Sequence, residues 1–317
     1  MTKQRTLRDR FSLRGKGLHS GLEVNITFSP APENFGYKIC RTDVPGQPVI
    51  AAKAENVVST DRGTVLSENG IQVSTVEHAL AALYACEVDN CLIKVDAPEF
   101  PILDGSSVIF MNGILRVGTI MQSEKRVYYM PEHIIEYQDE MTGSHLILLP
   151  SDKLEIHTQI YFDSEVLNVQ SAVMHDISEF LTEVSPCRTF VFIKEIESLL
   201  QKGLIKGGDL NNAIVIYDKK ISQKEFDGLA EIMNVEKRDA RKLGYIMNTP
   251  LRFPNEPARH KILDILGDIS LTGKFIKGHI IAICPGHRVN NEFARLISDD
   301  IRENACQNTA THMEILQ

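Results

Sequence analysis

Apolar and polar residues alternate through several short stretches of the first hundred positions. Val24, Ile26 and Phe28 alternate with Glu23, Asn25 and Thr27, and residues 37–41 and 91–95 keep the same period of two. Such alternation predicts strands with one buried face. Between them, residues 74–84 (Ser-Thr-Val-Glu-His-Ala-Leu-Ala-Ala-Leu-Tyr) are rich in Ala and Leu at helical spacing, which predicts a helix. Ser74, with Glu77 three positions on, has the form of a capping box, which gives Glu77 a structural task at the helix start. A second helix is expected after the turn at Asp104, Gly105 and Ser106.

After a composition shift near residues 121–125 the pattern restarts. Residues 134–137, 146–149 and 154–161 predict strands, and residues 193–202 and 261–271 predict helices. Strands followed by helices in each half predict an α+β chain of two domains, at 1–122 and 123–300, rather than strictly alternating parallel units. No repeat is legible residue by residue, so any duplication is expected in structure at most. Residues 222–255 read as a charged surface excursion with a solvated helix over 231–242, broken by Pro250, Pro254 and Pro257. Residues 298–317 lack a periodic core, which predicts a helix end and, over 301–317, a polar tail.

The 317 residues are 43% apolar and 24% charged, enough for one large core or two smaller ones and unlike a disordered chain. A formal charge of −8 argues against nucleic acid or an anionic membrane as the main partner. No apolar run approaches the length of a spanning helix, and the first residues lack the apolar stretch of a secretory signal. The expected location is the cytoplasm. Six cysteines without paired zinc-ribbon spacing are expected to be reduced there, Cys86 and Cys91 as small buried apolar residues.

Chemistry enters with residues 259–268, Arg-His-Lys-Ile-Leu-Asp-Ile-Leu-Gly-Asp. On a helix His260 and Asp264 project from one face, and Asp268 extends the row by another turn. Alone, the pair reads first as an ion pair on a solvated face and only second as two metal ligands. Two more histidines shift the balance: His78, beside Glu77, and His287, in the turn after a strand-like stretch at 278–283. Two His and one Asp, with a Glu in reserve, match a catalytic zinc site with an open position for water. A solvent-exposed turn histidine stays the alternative for His287, and an ordinary strand for residues 185–192. Gly207 and Gly208 are too short a pair for a phosphate cradle. His19, among Gly15, Gly17 and Gly21, either faces a site or closes a hairpin.

These motifs form an ordered series: residues 17–21 (Gly-Leu-His-Ser-Gly), 74–78 (Ser-Thr-Val-Glu-His), 101–106 (Pro-Ile-Leu-Asp-Gly-Ser) and 188–190 (Arg-Thr-Phe). Gly207 and Gly208 with residues 212–215 follow, then 259–261 (Arg-His-Lys) with Asp264, Gly267 and Asp268, then Gly286 and His287 with Asn290 and Asn291. The series resembles the UDP-3-O-acyl-N-acetylglucosamine deacetylases, the zinc amidases of lipid A biosynthesis, over residues 4–291. The resemblance implies two similar domains, each a layered β-α-α-β sandwich, with the active site between them. It implies Zn2+ on His78, His260 and Asp264, Glu77 as general base, His287 as general acid oriented by Asp268, and Thr189 at the oxyanion. Substrate contacts are implied for Lys261, Phe190, Phe192, His19 and Gly208, with an insert near 190–204 forming a hydrophobic passage for the acyl chain.

The implied reaction releases acetate from UDP-3-O-acyl-N-acetylglucosamine and leaves UDP-3-O-acyl-glucosamine, the committed step of lipid A biosynthesis. Many members carry Lys or Arg where this chain has Cys284, which implies that diphosphate binding is weaker there or supplied elsewhere. The excursion at 222–255 resembles that of members fused to a hydroxyacyl-carrier-protein dehydratase, so the chain is expected to be a stand-alone enzyme or one half of such a fusion. A nucleotide-sugar or acyl-chain binding domain with an idle His/Asp cluster, and a different amide or ester substrate, stay open at this point.

Overall fold

The computed structural model describes residues 2–232 and 235–315. Two five-stranded sheets dominate it. With elements numbered along the chain, the first sheet runs in the order β2 (Phe11–Lys16), β3 (Glu23–Pro30), β9 (Cys91–Val95), β4 (Tyr37–Arg41), β5 (Val49–Ala51). The second runs β12 (Ile135–Asp139), β13 (Ser144–Pro150), β20 (Gly278–Ile283), β14 (Leu154–Tyr161), β15 (Val169–Met174). In each, the central strand is the last to arrive along the chain, antiparallel to one neighbour and parallel to the other. A parallel neighbour needs a crossover. Helix α1 (Glu77–Ala85) leads into β9 and α5 (Glu256–Ile269) into β20, while α2 (Val108–Val117) and α6 (His287–Ile315) follow those strands. The chain is therefore α+β, and its two halves repeat one topology.

The helices α1 and α5, one from each half, pack against each other between the sheets. Ala79, Ala81 and Ala82 keep α1 slim, and all three are fully buried. On α5 the matching position is Gly267, where an added Cβ would stand 2.3 Å from the backbone oxygen of Glu77. Small residues on both sides let the two backbones approach closely, which brings the start of α1 beside the middle of α5. Leu80 and Leu83 of α1 and Ile262 and Leu266 of α5 share one apolar cluster with the inward residues of both sheets, among them Ile26, Ile93, Leu146 and Ile280.

Three smaller sheets surround this centre. β6 (Val57–Ser59), β7 (Val65–Glu68) and β8 (Ile71–Ser74) form an antiparallel meander that ends at α1. β1 (Lys3–Leu7) pairs with β10 (Thr119–Lys125), and β11 (Tyr128–Tyr129) with β19 (Phe275–Ile276). Between β15 and α5 an insert carries a further sheet, β16 (Phe190–Phe192), β17 (Ile214–Tyr217) and β18 (Gly244–Ile246), with helices α3 (Ile193–Gln201) and α4 (Gln223–Ile232). It has its own small core, including Ile196, Leu199, Val215 and Tyr217.

Several expectations change. Ser74 ends β8 and its Oγ donates to the Pro98 carbonyl, while Val76 takes the cap position of α1 with no side-chain cap, so no capping box forms. Thr75 adopts a left-handed φ of 57°, a sharp strand-to-helix turn that frees Glu77 for an inward role. The charged helix expected over 231–242 lies earlier, at α4, and residues 235–242 are not helical; residues 233–234 lie outside the described residues. The polar stretch after residue 300 continues α6 to Ile315 rather than forming a tail, and residues 316–317 lie outside the described residues. All six cysteines are free, Cys91 buried and Cys86 half-buried. Among the described residues no helix is long and apolar enough to cross a membrane.

Candidate active site

Because α5 is helical through residues 260–268, His260 and Asp264 do share a face, and the close α1–α5 contact sets His78 against them. His260 Nε2 lies 3.3 Å from Asp264 Oδ1, and the His78 and His260 rings meet edge to face with centroids 5.1 Å apart. One ligand atom from each of the three residues lies within 4.8 Å of the others, and none of the three is more than 4% exposed. The solvated ion pair is therefore excluded. His260 Nδ1 is 3.0 Å from the Cys187 carbonyl, which only accepts, so Nδ1 donates there and Nε2 is the ring nitrogen turned toward Asp264. His78 Nδ1 and Asp264 Oδ1 are buried without a hydrogen-bond partner. Polar atoms left so are costly, and a cation among them relieves the cost.

The protonation states fit the same reading. Burial, and then the neighbouring His260, pull the His78 imidazole down to about 3, so it is neutral. Burial disfavours an ionised Asp264, but His260, Lys261 and His287 outweigh it and hold the carboxyl well below the usual range. Two imidazoles and one carboxylate are a donor set that suits a borderline divalent ion such as zinc. Lys261 Nζ donates to Asp264 Oδ2 at 2.8 Å and stands 5.1 Å from the centroid of the Phe190 ring.

Glu77 and His287 face each other beside this cluster. Glu77 Oε1 is 3.7 Å from His287 Nε2, and Glu77 Oε2 accepts from the Thr64 backbone N–H at 3.1 Å. Burial raises the Glu77 carboxyl to about 7, although the His287 charge opposes the rise. His287 opens α6 and its Nδ1 lies 3.1 Å from Asp268 Oδ2. Burial disfavours the imidazolium, but Asp268, Asp264 and Glu77 outweigh it and raise the group to about 10. Asp268, the third residue of the α5 row, thus bonds His287 rather than joining His78, His260 and Asp264. It is fully buried and accepts from Asn290 Nδ2 at 3.0 Å, Asn291 Nδ2 at 3.1 Å and Thr64 Oγ1 at 2.5 Å. Thr64 holds both Glu77 and Asp268, one through its backbone and one through its hydroxyl.

The stretch 187–189 is clamped to the start of α5. Arg188, fully buried, bonds the Glu256 carboxylate through Nε at 2.8 Å and Nη2 at 3.1 Å, and Glu256 also accepts the backbone N–H groups of Arg188 and Arg252. This fixes the Cys187 carbonyl under His260 and sets Thr189, whose N–H donates to Gly105 at 2.8 Å, at the mouth of a groove. Thr189, Phe190, His19 and Gly208 all line that groove, with apolar walls that include Ile196 and Leu199 of α3. His19 is held by the buried Glu99, which accepts the backbone N–H groups of His19 and Ser20 at 2.8 Å each. Phe192 stands apart: it is buried, with its ring tilted on Phe162 at 5.0 Å, and does not line the groove. On the other side of His287 a more polar cleft is lined by Tyr161, Phe162, Cys284 and Arg288, the last already paired with Asp139.

Thr64, Glu99 and Glu256 carried no signal as site residues in the sequence, and Arg188 stood in a motif without its partner. Thr64 sits in a turn without periodicity, and Arg188 and Glu256 are 68 positions apart, joined only by the fold.

A family model described as LpxC, UDP-3-O-acyl N-acetylglycosamine deacetylase, matches residues 4–233 and 240–299. The bifunctional enzyme LpxC/FabZ of Bacteroides thetaiotaomicron is 55% identical over 307 residues, covering 97% of this chain and 67% of that protein. Its namesake from Porphyromonas gingivalis is 54% identical over the same length, at 97% and 66%. The UDP-3-O-acyl-N-acetylglucosamine deacetylase of Geotalea uraniireducens is 36% identical over 294 residues, covering 92% of this chain and 87% of that protein. The chain thus spans about two-thirds of the length of the bifunctional relatives.

Proposed function

The chain belongs to the UDP-3-O-acyl-N-acetylglucosamine deacetylase family, and from that membership we propose that it hydrolyses the N-acetyl group of UDP-3-O-acyl-N-acetylglucosamine, releasing acetate for lipid A biosynthesis. The observation that carries this reading is the Glu77–His287 pair at 3.7 Å, set beside three buried ligand groups, two of which, His78 and Asp264, have unpartnered atoms. A purely structural metal site closes on four protein ligands and has no use for such a pair.

In this reading His78, His260 and Asp264 hold Zn2+. When bound, the ion supplies Lewis acidity toward the amide carbonyl and lowers the pKa of water. Glu77, with a carboxyl poised at about 7, takes a proton from the attacking water as the new C–O bond forms. Thr189 faces the oxygen on which negative charge develops. His287, protonated and oriented by Asp268, gives a proton to the amide nitrogen as the C–N bond breaks, because an amine leaves where an amide anion does not. The amine and acetate then carry the two halves of the water.

The groove past Thr189 and Phe190 takes the 3-O-acyl chain, with Ile196 and Leu199 along its walls, and Lys261 and His19 meet the sugar end. The cleft on the far side of His287 takes the nucleotide end, with aromatic rather than strongly basic walls, in keeping with Cys284. The two halves act as domains meeting near residue 122, the enzyme works in the cytoplasm, and a dehydratase is its fused or associated partner. Incubation with UDP-3-O-acyl-N-acetylglucosamine, with acetate and free amine measured together, tests the proposal. Both products must appear in equal amounts, and neither with the analogue that lacks the 3-O-acyl chain. Acetate release indifferent to that chain would contradict the substrate assignment.

A further inference from the structure

The second large sheet turns one face away from the core, and four titratable side chains meet on it. Glu155 and His157 stand two residues apart on β14, so both point to that face. His279 of β20 lies directly opposite Glu155 in the parallel register, and His175 follows the last residue of β15 on its other side. Glu155 Oε1 is 2.7 Å from His157 Nε2 and 3.3 Å from His175 Nδ1. The His157 ring has its centroid 4.5 Å from that of His279 and 6.0 Å from that of His175. One ligand atom each from Glu155, His157 and His279 lies within 4.8 Å of the others. This group sits at the start of β20, with the length of that strand between it and the turn that carries His287.

Charge sharing alone does not account for the arrangement. The Glu155 carboxylate bonds His157 and His175, which leaves His279 with nothing to bond: its Nε2 is closed to solvent and has no hydrogen-bond partner. An imidazole nitrogen buried without a partner, packed against another imidazole and a carboxylate, lacks one component, a cation.

We propose that Glu155, His157 and His279, with His175 as a fourth ligand, form a second divalent-metal site on the outer face of this sheet. An imidazole-rich set selects borderline ions such as Zn2+, Ni2+ or Co2+ over Mg2+ and Ca2+, which prefer all-oxygen sites. The ion clips β20 to β14 and β15. It thereby steadies the strand that ends at the catalytic turn, without touching substrate.

The test is metal stoichiometry in the full 317-residue chain, stripped by chelator and dialysed against buffered Zn2+. Wild type should hold two Zn2+ per chain, His157→Asn/His279→Asn one, and His78→Ala/Asp264→Ala one. Co2+ bound to the last variant should give the visible absorption of a histidine-ligated site, and His279→Gln should abolish it. Should the double variant fail to fold, His279→Gln alone in the otherwise wild-type chain is read for the same loss of one equivalent. Two equivalents persisting without His157 and His279, or none remaining without His78 and Asp264, overturns the proposal. The result is independent of the deacetylase reading, since it needs no turnover.

Discussion

Asp268→Asn isolates what the carboxylate does for His287. Asp268 offers two acceptor oxygens to four donors: His287 Nδ1 and Asn290 Nδ2 at Oδ2, Thr64 Oγ1 and Asn291 Nδ2 at Oδ1. An asparagine keeps one oxygen and replaces the other with an amide nitrogen. With the oxygen toward His287, the new NH2 meets Thr64, whose hydroxyl can reverse to accept, and Asn291 Nδ2, another donor, which keeps its bond to the His287 carbonyl at 2.8 Å. Two buried N–H groups then face each other and one bond is lost, at a cost of about 1–3 kcal/mol.

The larger effect is on charge. His287 stands at about 10 because Asp268, Asp264 and Glu77 outweigh burial, and Asp268 leads those three. Without its charge the imidazole titrates lower, so the alkaline limb of the kcat profile should move toward acid. Above the new pKa the rate should fall by about 10²–10⁴, the usual worth of a general acid. The stability sign follows from linkage. A raised pKa contributes stability that is fully present below the unfolded value near 6.5 and lost as pH rises through about 10. The variant should therefore be destabilised more at pH 6 than at pH 10. Acetate release from pH 6 to 10, with urea unfolding at both ends, reads both effects. A uniform drop in kcat with the alkaline limb unmoved would refute the orienting and charging role and leave Asp268 a packing residue.

Glu256→Gln leaves the fully buried Arg188 without its counter-charge and should cost about 3–5 kcal/mol at pH 7 by urea unfolding. Burial opposes ionisation of Glu256, yet the bonds from Arg188 and Arg252 hold its pKa below the usual value. That stability is present above the unfolded pKa near 4.5, so the gap between wild type and variant should narrow as pH falls through the folded pKa. Gly267→Ala puts a Cβ within 2.3 Å of the Glu77 carbonyl and must part α1 from α5. It should cost about 1–3 kcal/mol and weaken metal binding, and wild-type affinity by dialysis would count against the close-contact argument. Ala213→Leu narrows the acyl groove, so KM should rise for long-chain substrates and stay level for short ones.

Much of the site was legible because a helix converts spacing into geometry. Once residues 260–268 are helical, His260 and Asp264 must share a face, and the sequence could show that much but not whether water or protein covers it. The burial that settles the matter comes from α1, which begins 179 residues earlier in sequence and meets α5 through Ala and Gly rather than through any charged motif. Glu77 had a plausible local role as a capping residue. It lost that role because Thr75 turns left-handed and Val76 caps the helix, a backbone event that composition does not encode. The duplicated sheets were expected only through the family resemblance, and no residue-by-residue repeat showed them, because topology constrains which strands are central and buried and many apolar sequences satisfy it. Charge content misled the placement of α4, since lysine and glutamate mark solvent exposure as readily in a loop as in a helix.

In the proposed mechanism Glu77 acts as a base beside a metal held by His78, His260 and Asp264. Its most direct test is acetate release by chelator-stripped protein as Zn2+ is returned, with wild type and Glu77→Gln titrated in parallel and bound metal measured in each. Wild type should be silent when stripped and recover with metal, while Glu77→Gln should bind the same amount and turn over about 10²–10⁴ more slowly. Full turnover by the stripped protein, or a Glu77→Gln rate equal to wild type, would contradict it.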